Sequence, residues 1–359
     1  MNTYRSYHNE QVKKLRKIKR IVFLCLGIFV LISTFVLIKM YKAILLPNTK
    51  VNDEYYSLYI SKSDNFETIK DKLYTDSVII NKKSFEWLAD KLDYTKYIKT
   101  GHYTITNDLN NNQLINKLRS GSQTPVNFTF NNIRTIEQLS SRINEQLELD
   151  SITILNAIIN SESLKNAGFN EDNIAALFIP NTYEIYWNID ADDFIERMKK
   201  EYDIFWNDKR IKKSEEIGLS PIEVSILASI VDKETVKTSE MPRIAGVYIN
   251  RLNKNWLLQA DPTLVFALGD FEIKRVLDVH KEIESPYNTY KHTGLPPGPI
   301  CIPSIAAIDA VLNAEQHKYF YFCAKDDLSG YHVFAKNIKE HNINAEKYRK
   351  ALNKNKIWK

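Results

Sequence analysis

The chain has 359 residues and a mass of 41.8 kDa, and 44% of its residues are hydrophobic against 26% charged. These proportions exclude a disordered chain, and the low glycine count of 10 excludes collagen-like and glycine-rich linker proteins. The net charge of +5 is concentrated at one end, because residues 1–20 hold seven Lys and Arg residues against Glu10. This end carries +6, so the remaining residues carry −1 and offer no basic surface to nucleic acid.

An uncharged apolar run follows the basic end. Residues 21–38 read IVFLCLGIFVLISTFVLI, and as a helix they span about 27 Å, the thickness of a bilayer's hydrocarbon core. A buried core helix rarely has so basic a flank, and a cleaved signal peptide is shorter and ends in small residues. We expect a single-pass, uncleaved membrane helix over 21–38, with the tail 1–20 in the cytoplasm and the chain after residue 39 outside it.

The segment after the membrane helix alternates between strand and helix patterns. We expect a first small α/β unit over 39–125, in the order strand, helix, helix, strand, and a second strand–helix unit with a helical connector over 126–213. The pattern leaves open whether these units bind glycan or act as spacers. The expected elements are strands at 55–62, 100–106 and 126–130 and helices at 65–73, 84–92 and 135–147.

A cluster of aromatic residues lies at 177–187, LFIPNTYEIYW. Around Pro180 such aromatics suit a rigid wall that stacks on a sugar ring, and they equally suit an ordinary core. The sequence leaves these two interpretations open.

The segment 220–237, SPIEVSILASIVDKETVK, contains a carboxylate on an apolar helix face. Ser220, Pro221 and Glu223 form a capping box that sets the start of the helix. Residues 222, 226 and 230 are isoleucines, and Glu234 is the next position on their face. Asp232 and Lys233 are predicted to point elsewhere. A glutamate in this setting is either a salt-bridged helix end, with Lys237 or Arg243 as partner, or a general acid with a raised pKa, which we favour.

A proline-rich stretch at 285–304 predicts a stiff loop that positions polar side chains. Such groups hydrogen-bond hydroxyls and amides, as an amino sugar requires. Further along, His332 lies in a predicted hairpin and His341 in the helix after it, and both fit structural as well as functional roles. The polar candidates in and before the loop are Gln259, Asp261, Asn288, Thr289 and Tyr290.

Other chemistries lack their sequence signatures. The chain has no His-Glu-x-x-His, no Gly-x-Ser-x-Gly, no phosphate loop and no dinucleotide fingerprint. Cys301 and Cys323 lack Cys-x-x-Cys spacing, and they are interpreted as small buried hydrophobic residues, with a disulfide as the alternative. We expect neither a metal nor a cofactor.

Together, several motifs resemble the endolytic murein transglycosylase (MltG or YceG-like) family. They are ILASIVDKET at 226–235, GVYINRL at 246–252, LQADPT at 258–263, YNTYKHTGLPPGPI at 287–300 and EHN at 340–342. The resemblance implies an α+β architecture with one membrane helix, a LysM-like unit corresponding to 39–125 and a C-terminal catalytic domain, assigned to 214–359. It assigns the catalytic glutamate to Glu234. The chain departs from the family at Asp232, where glutamate is frequent, and at Ser304, where glycine is usual.

The resemblance implies a lytic transglycosylase, a carbon–oxygen lyase of the bacterial cell membrane that acts on peptidoglycan. It would cut the β-1,4 bond between N-acetylmuramic acid and N-acetylglucosamine within strands, leave 1,6-anhydro ends and end the growth of nascent strands. The sugar's own 6-hydroxyl attacks, so one acid is enough where a hydrolase needs two carboxylates. Cell-wall synthases are candidate partners. We expect the following residues to bind substrate or orient Glu234: Gln259, Asp261, Asn288, Tyr290 and His332.

Two other functions remain open at this point. A muramidase hydrolyses the same bond. A membrane-anchored scaffold protein of the cell wall would have no enzymatic activity, and its Glu234 would be structural.

Overall fold

The structure, a computed structural model, describes residues 2–273 and 275–355, with the side chains of the first helix described from residue 14 onward. It is a mixed α+β structure, as predicted, and it divides into two compact units, 1–125 and 126–359. The elements of the first unit are α1 (Asn2–Leu45), β1 (Tyr56–Ile60), α2 (Phe66–Thr75), α3 (Lys82–Lys91), β2 (Gly101–Ile105) and α4 (Asn111–Ser120).

Helix α1 is longer than the predicted membrane span. Its segment Lys14–Leu45 is long and apolar enough to cross a membrane, and its large apolar side chains are exposed, so it is not a core helix. Among the described residues it is the one helix that qualifies by length and composition. The predicted boundary at 38/39 falls inside α1, because the helix continues through Lys39–Lys42 and ends at Leu45.

The first unit has the predicted order of strand, helix, helix, strand. Strands β1 and β2 pair antiparallel, with Tyr56 opposite Ile105 and Ile60 opposite Gly101. Helix α4 packs against α1 and α3, and its Leu114, Ile115 and Leu118 are fully buried in the unit's core. The correspondence of this unit to a LysM domain stays a prediction.

The second unit is built on two neighbouring cores. One lies around the antiparallel pair β3–β4 and the helices α5, α6 and α8, and the other lies around α10, α11 and α13. The elements are β3 (Val126–Thr129), α5 (Ile136–Gln146), α6 (Ser151–Asn160), α7 (Glu162–Asn166), β4 (Thr182–Ile185), α8 (Ala191–Phe205), α9 (Asp208–Glu216), α10 (Pro221–Glu234), α11 (Met241–Asn253), α12 (Asp261–Leu268), α13 (Ile305–Leu312), β5 (Tyr321–Ala324), β6 (His332–Ala335) and α14 (Ile338–Lys354).

Two features of this unit differ from expectation. The predicted boundary after residue 213 falls inside α9, which runs from Asp208 to Glu216. The aromatic segment at 177–187 is mainly core, because Phe178 and Tyr183 are buried and the Tyr183 hydroxyl donates a 2.5 Å hydrogen bond to the Ile179 carbonyl. Tyr186 alone among the aromatics of that segment is more than half exposed. The sugar-stacking wall is therefore not formed by Phe178 and Tyr183.

The hairpin β5–β6 and helix α11 enclose one side of the site described below. Strand β5 pairs with β6 so that Ala324 lies opposite His332. Cys323, in β5, and Cys301 are both free thiols. Cys301 is fully buried, and burial raises the pKa of its thiol to about 12. It therefore behaves as a small apolar residue, as predicted.

Candidate active site

Helix α10 carries Glu234 to the edge of the second core. Ser220 caps the helix, since its hydroxyl accepts from the Glu223 backbone N–H at 3.3 Å while the Glu223 carboxylate accepts from the Ser220 N–H at 2.8 Å. Ile226 and Ile230 are buried on the predicted face. Glu234 is the last residue of α10, and it is partly exposed because the helix ends at a groove.

The carboxyl group of Glu234 is desolvated although part of the side chain reaches the surface. Burial raises its pKa from 4.5 to about 7, and the negative charge of Asp261 acts in the same direction. A hydrogen bond of 2.6 Å from the Tyr248 hydroxyl and the positive charge of Arg251 act against this rise. Within the described part of the chain, Glu234 forms no ion pair; Arg243 pairs with Glu315 instead. The interpretation of Glu234 as a salt-bridged helix end is therefore wrong.

Tyr248 holds the carboxyl group in place. The side chain is buried in α11, and burial raises the pKa of its hydroxyl well above 10. The phenol therefore stays protonated and donates to Glu234 across the physiological range. Phe322 packs its ring edge-on against Tyr248, with centroids 5.9 Å apart and planes at 89°. Tyr248 thus offers Glu234 a rigid donor.

Arg251 lies one turn further along α11 and organises the backbone around the site. Its guanidinium is buried and donates to the carbonyl oxygens of Phe320 at 2.7 Å and Leu258 at 2.8 Å. These bonds tie α11 to the residue that precedes strand β5 and to the segment before α12. The Tyr321 ring lies 5.1 Å from the guanidinium. The His341 ring stacks on the Tyr321 ring, with centroids 5.4 Å apart.

The predicted loop residues lie together beside this cluster. The Tyr290 hydroxyl donates a 2.5 Å hydrogen bond to Asp261. Gln259 is exposed and has φ of 52°, a left-handed conformation that is unfavourable for a residue other than glycine. Asn288 is fully buried, and its amide donates to the carbonyls of Lys281 and Ile283 while its oxygen accepts from the Tyr290 N–H. Asn288 therefore orders the loop that carries Tyr290, and its own side chain has no exposed surface.

A groove of about 520 Å³ opens at the end of α10. It contains Glu234 and His332, whereas the other four predicted site residues lie outside its lining. Asp232 and Lys233 also line it, which the sequence analysis did not predict. The last turn of α10 projects into the groove, and residues on several faces of that turn reach it. The lining residues are Asn132, Asp232, Lys233, Glu234, Thr235, Val236, Met241, Gly330 and His332.

Asp232 has its own partners in the groove. The Ser304 hydroxyl donates a 2.5 Å hydrogen bond to its Oδ1, and the Lys233 ammonium lies 3.6 Å from its Oδ2. Lys233 also donates to the side chain of Asn132 at 3.1 Å. The two positions at which the sequence departs from the resembled family, Asp232 and Ser304, are therefore bonded to each other.

His332 enters the groove from strand β6. Its ring Nδ1 lies 3.0 Å from a carboxylate oxygen of Glu240, and its backbone N–H donates to the same carboxylate at 2.9 Å. Glu240 is buried. Glu240 therefore holds His332 in place, and His332 also lines the groove.

Sequence reasoning missed Tyr248, Arg251 and Glu240. A signal for the first two was available, because Ile244, Tyr248 and Arg251 recur at helical spacing and all three are buried on α11. A hydroxyl and a guanidinium on an apolar helix face indicate a candidate functional site, as Glu234 does on α10. Glu240 gave no such signal, since its role depends on a contact 92 residues away.

The sequence model described as the YceG-like family matches residues 58–347. The chain belongs to this family. An endolytic murein transglycosylase of Bacillus subtilis (strain 168) is 29% identical over 335 residues, which cover 87% of this chain and 90% of the relative. An endolytic murein transglycosylase of Streptococcus pneumoniae (strain ATCC BAA-255 / R6) is 27% identical over 345 residues, which cover 86% of this chain. The match spans only 61% of that relative's length.

A solved structure supports the same assignment. The crystal structure of a YceG-like protein from Listeria monocytogenes superposes with a TM-score of 0.52 at 26% identity, and the match covers 81% of this chain and 99% of the other. The resemblance stated from the motifs is therefore confirmed at the level of the family.

Proposed function

We propose that the chain is an endolytic murein transglycosylase, a lyase that cuts the β-1,4 bond between N-acetylmuramic acid and N-acetylglucosamine within peptidoglycan strands. The observation that carries the proposal is the carboxyl group of Glu234 at the groove. Its pKa of about 7 leaves it partly protonated at neutral pH, as a general acid requires. Membership of the YceG-like family and the relatives described by this activity support the same function.

Glu234 acts in two steps of one reaction. It first donates its proton to the glycosidic oxygen as the bond from that oxygen to C1 of the muramic acid breaks. The resulting carboxylate then takes the proton of the 6-hydroxyl of the same sugar, whose oxygen bonds to C1 and closes the 1,6-anhydro ring. Glu234 ends protonated, and no water is consumed. Because the nucleophile belongs to the sugar itself, its effective concentration is high and a second carboxylate is unnecessary.

The neighbouring residues divide the remaining work. Tyr248 orients the Glu234 carboxyl through its 2.6 Å hydrogen bond. Gln259, Asp261 and Tyr290 bind the saccharide beside the acid, and Asn288 orders the loop that carries Tyr290. His332 binds the saccharide from within the groove.

The N-terminal helix anchors the enzyme in the bacterial cell membrane. The basic tail at 1–20 keeps the N-terminus in the cytoplasm, so the catalytic unit lies on the outer side of the membrane, where peptidoglycan is made. In this position the enzyme cuts nascent strands and ends their growth, next to the synthases that extend them. The LysM-like segment 39–125 lies between the anchor and the catalytic unit along the chain.

One observation favours a muramidase as the second candidate, namely that Asp232 lines the same groove as Glu234. A hydrolase needs such a second carboxylate to attack C1 or to activate water. In this structure the Asp232 carboxylate accepts a hydrogen bond from Ser304 and pairs with Lys233, which supports a structural role. Asp232→Asn therefore keeps lytic activity in the proposed lyase and abolishes it in a muramidase.

Product analysis tests the proposal. The full-length protein in detergent is incubated with purified sacculi, and the released fragments are identified by mass spectrometry. The lyase yields 1,6-anhydro ends, whereas a muramidase yields reducing ends that are heavier by one water molecule. A scaffold protein releases nothing.

A further inference from the structure

Glu240 has an unusual position for a residue at the start of a helix. It is the N-cap of α11, but its side chain makes no capping hydrogen bond. The carboxylate is buried and turns instead toward strand β6. Burying a carboxylate is unfavourable unless its oxygens are hydrogen-bonded, so the contacts that Glu240 makes on β6 are the reason for this placement.

All of these contacts are with His332. The His332 backbone N–H donates to both carboxylate oxygens, at 2.9 and 3.2 Å, and the ring Nδ1 lies 3.0 Å from Oε2. A carboxylate can only accept hydrogen bonds, so the proton of the neutral imidazole is on Nδ1. Phe322 packs edge-on against the imidazole, with centroids 5.4 Å apart and planes at 89°, which fixes the plane of the ring.

This arrangement leaves the other ring nitrogen, Nε2, as a hydrogen-bond acceptor. No protein group within residues 14–273 and 275–355 forms a hydrogen bond with Nε2, and His332 lines the groove that contains Glu234. A fixed acceptor in a polar groove next to a general acid suits recognition of a neutral sugar, which is rich in hydroxyl and amide N–H donors.

We propose that Glu240 is a positioning residue that holds His332 in its Nδ1–H form, so that Nε2 accepts a hydrogen bond from a hydroxyl or amide N–H of the saccharide beside Glu234. The inference rests on the proposed function. It adds that Nε2 of His332 contacts the saccharide, that Nε2 acts as a hydrogen-bond acceptor, and that Glu240 determines this role. Glu240 acts through His332 and does not touch the substrate.

Two substitutions at one position separate a binding role from a structural role. In His332→Asn the amide nitrogen takes the place of Nδ1 and keeps the bond to Glu240, but nothing replaces Nε2. In His332→Gln the longer amide reaches the place of Nε2 and offers an oxygen acceptor there, while the bond to Glu240 is weakened. We expect kcat/KM on purified glycan strands to fall about tenfold in His332→Asn, the effect of one lost hydrogen bond. His332→Gln is expected to be more active than His332→Asn, and the reverse order overturns the proposal.

Glu240→Gln tests the positioning role. The Gln amide donates to Nδ1 and so moves the imidazole proton to Nε2, which turns the acceptor into a donor. We expect kcat/KM to fall about as far as in His332→Asn, although the carboxamide preserves the shape of the side chain. Full activity in Glu240→Gln contradicts the proposal.

A spectroscopic measurement keeps the test decisive if a variant folds poorly. In the full-length wild type labelled with ¹⁵N-histidine, the His332 resonances, assigned by their loss in His332→Asn or His332→Gln, should show protonated Nδ1 and unprotonated Nε2. The opposite tautomer, or an imidazolium ring protonated at both nitrogens, overturns the inference, because Nε2 would then be a donor. If the wild type itself forms no anhydro ends, the proposed function fails; if it forms them and the His332 variants rank in the reverse order, only this inference fails.

Discussion

The hydroxyl of Tyr248 donates a 2.6 Å hydrogen bond to Oε1 of Glu234. Tyr248 belongs to α11 and Glu234 ends α10, so the bond joins the two helices at the groove. It opposes the effect of burial, because it stabilises the ionised carboxylate while desolvation favours the protonated acid. The pKa of about 7 is the balance between these effects, and changing either side of it has a predictable result.

Tyr248→Phe should move the alkaline limit of activity to higher pH. The substitution keeps the ring and its contact with Phe322 but removes the bond that lowers the pKa of Glu234. The acid therefore stays protonated to higher pH, while the rate below the limit falls about tenfold because the carboxyl is less well oriented. The measurement is the pH profile of kcat/KM on glycan strands. A limit that stays in place or moves to lower pH would contradict this role of Tyr248.

Asp261→Asn should move the same limit in the opposite direction. The negative charge of Asp261 raises the pKa of Glu234, and its removal lets the acid ionise at lower pH. The Asn side-chain oxygen can still accept a hydrogen bond from the Tyr290 hydroxyl, so the loop geometry is maintained. Tyr248→Phe and Asp261→Asn are therefore a matched pair. The account requires their pH profiles to shift in opposite directions, whatever each change does to the maximal rate.

Glu234→Gln should stabilise the protein against unfolding at alkaline pH. The carboxyl has a pKa of about 7 when folded and near 4.5 when unfolded, so below 4.5 both states are protonated and burial carries no ionisation cost. As the pH rises toward 7, the unfolded chain ionises first and the wild type loses stability, which Gln does not. Since the side chain is partly exposed, we expect a difference of about 2 kcal/mol at pH 8 that is absent at pH 4.

Urea unfolding of both proteins in detergent, at pH 4, 6 and 8, measures this difference. The account predicts that the two midpoints separate progressively as the pH rises. A constant separation at all three values would mean that the pKa of Glu234 is the same in the folded and the unfolded protein, which would contradict the account.

Arg251→Met should be strongly destabilising. The buried guanidinium donates to the carbonyls of Phe320 and Leu258, and Met leaves these oxygens without donors. We expect a loss of about 3 kcal/mol in the free energy of unfolding. Arg251→Lys is the matched control, because lysine keeps the positive charge but cannot donate to both carbonyl oxygens as the guanidinium does. Its free energy of unfolding should lie between those of the wild type and Arg251→Met. If the urea midpoint of unfolding of Arg251→Met equals that of the wild type, these hydrogen bonds are dispensable for stability.

Local patterns in the sequence were sufficient for much of the fold. Ser220, Pro221 and Glu223 set the start of α10 because capping depends only on neighbouring residues. The strands β1 to β3 and helices α2, α3 and α5 were predicted for the same reason. Helix α4 was not, since the asparagine-rich run before Leu114 looks like a loop by composition, although Asn110 and Gln113 form a capping box.

The site was predictable only where a single helix contained the information. Glu234 was found because the apolar face of α10 continues to it. That Asp232 and Lys233 also line the groove was not predicted, because the helical pattern does not show that α10 ends at an open groove. The contact between Glu240 and His332 depends on how β6 meets α11, which periodicity within one segment does not contain.

The central claim is that Glu234 performs the chemistry, and digestion of sacculi by Glu234→Gln tests it most directly. The Gln side chain can still accept the hydrogen bond of Tyr248 but has no proton to donate as an acid. The account predicts that the wild type releases fragments with 1,6-anhydro ends, whereas the folded variant binds sacculi and releases such fragments at least about a thousandfold more slowly. Release of anhydro ends by the variant at a rate close to that of the wild type would contradict it.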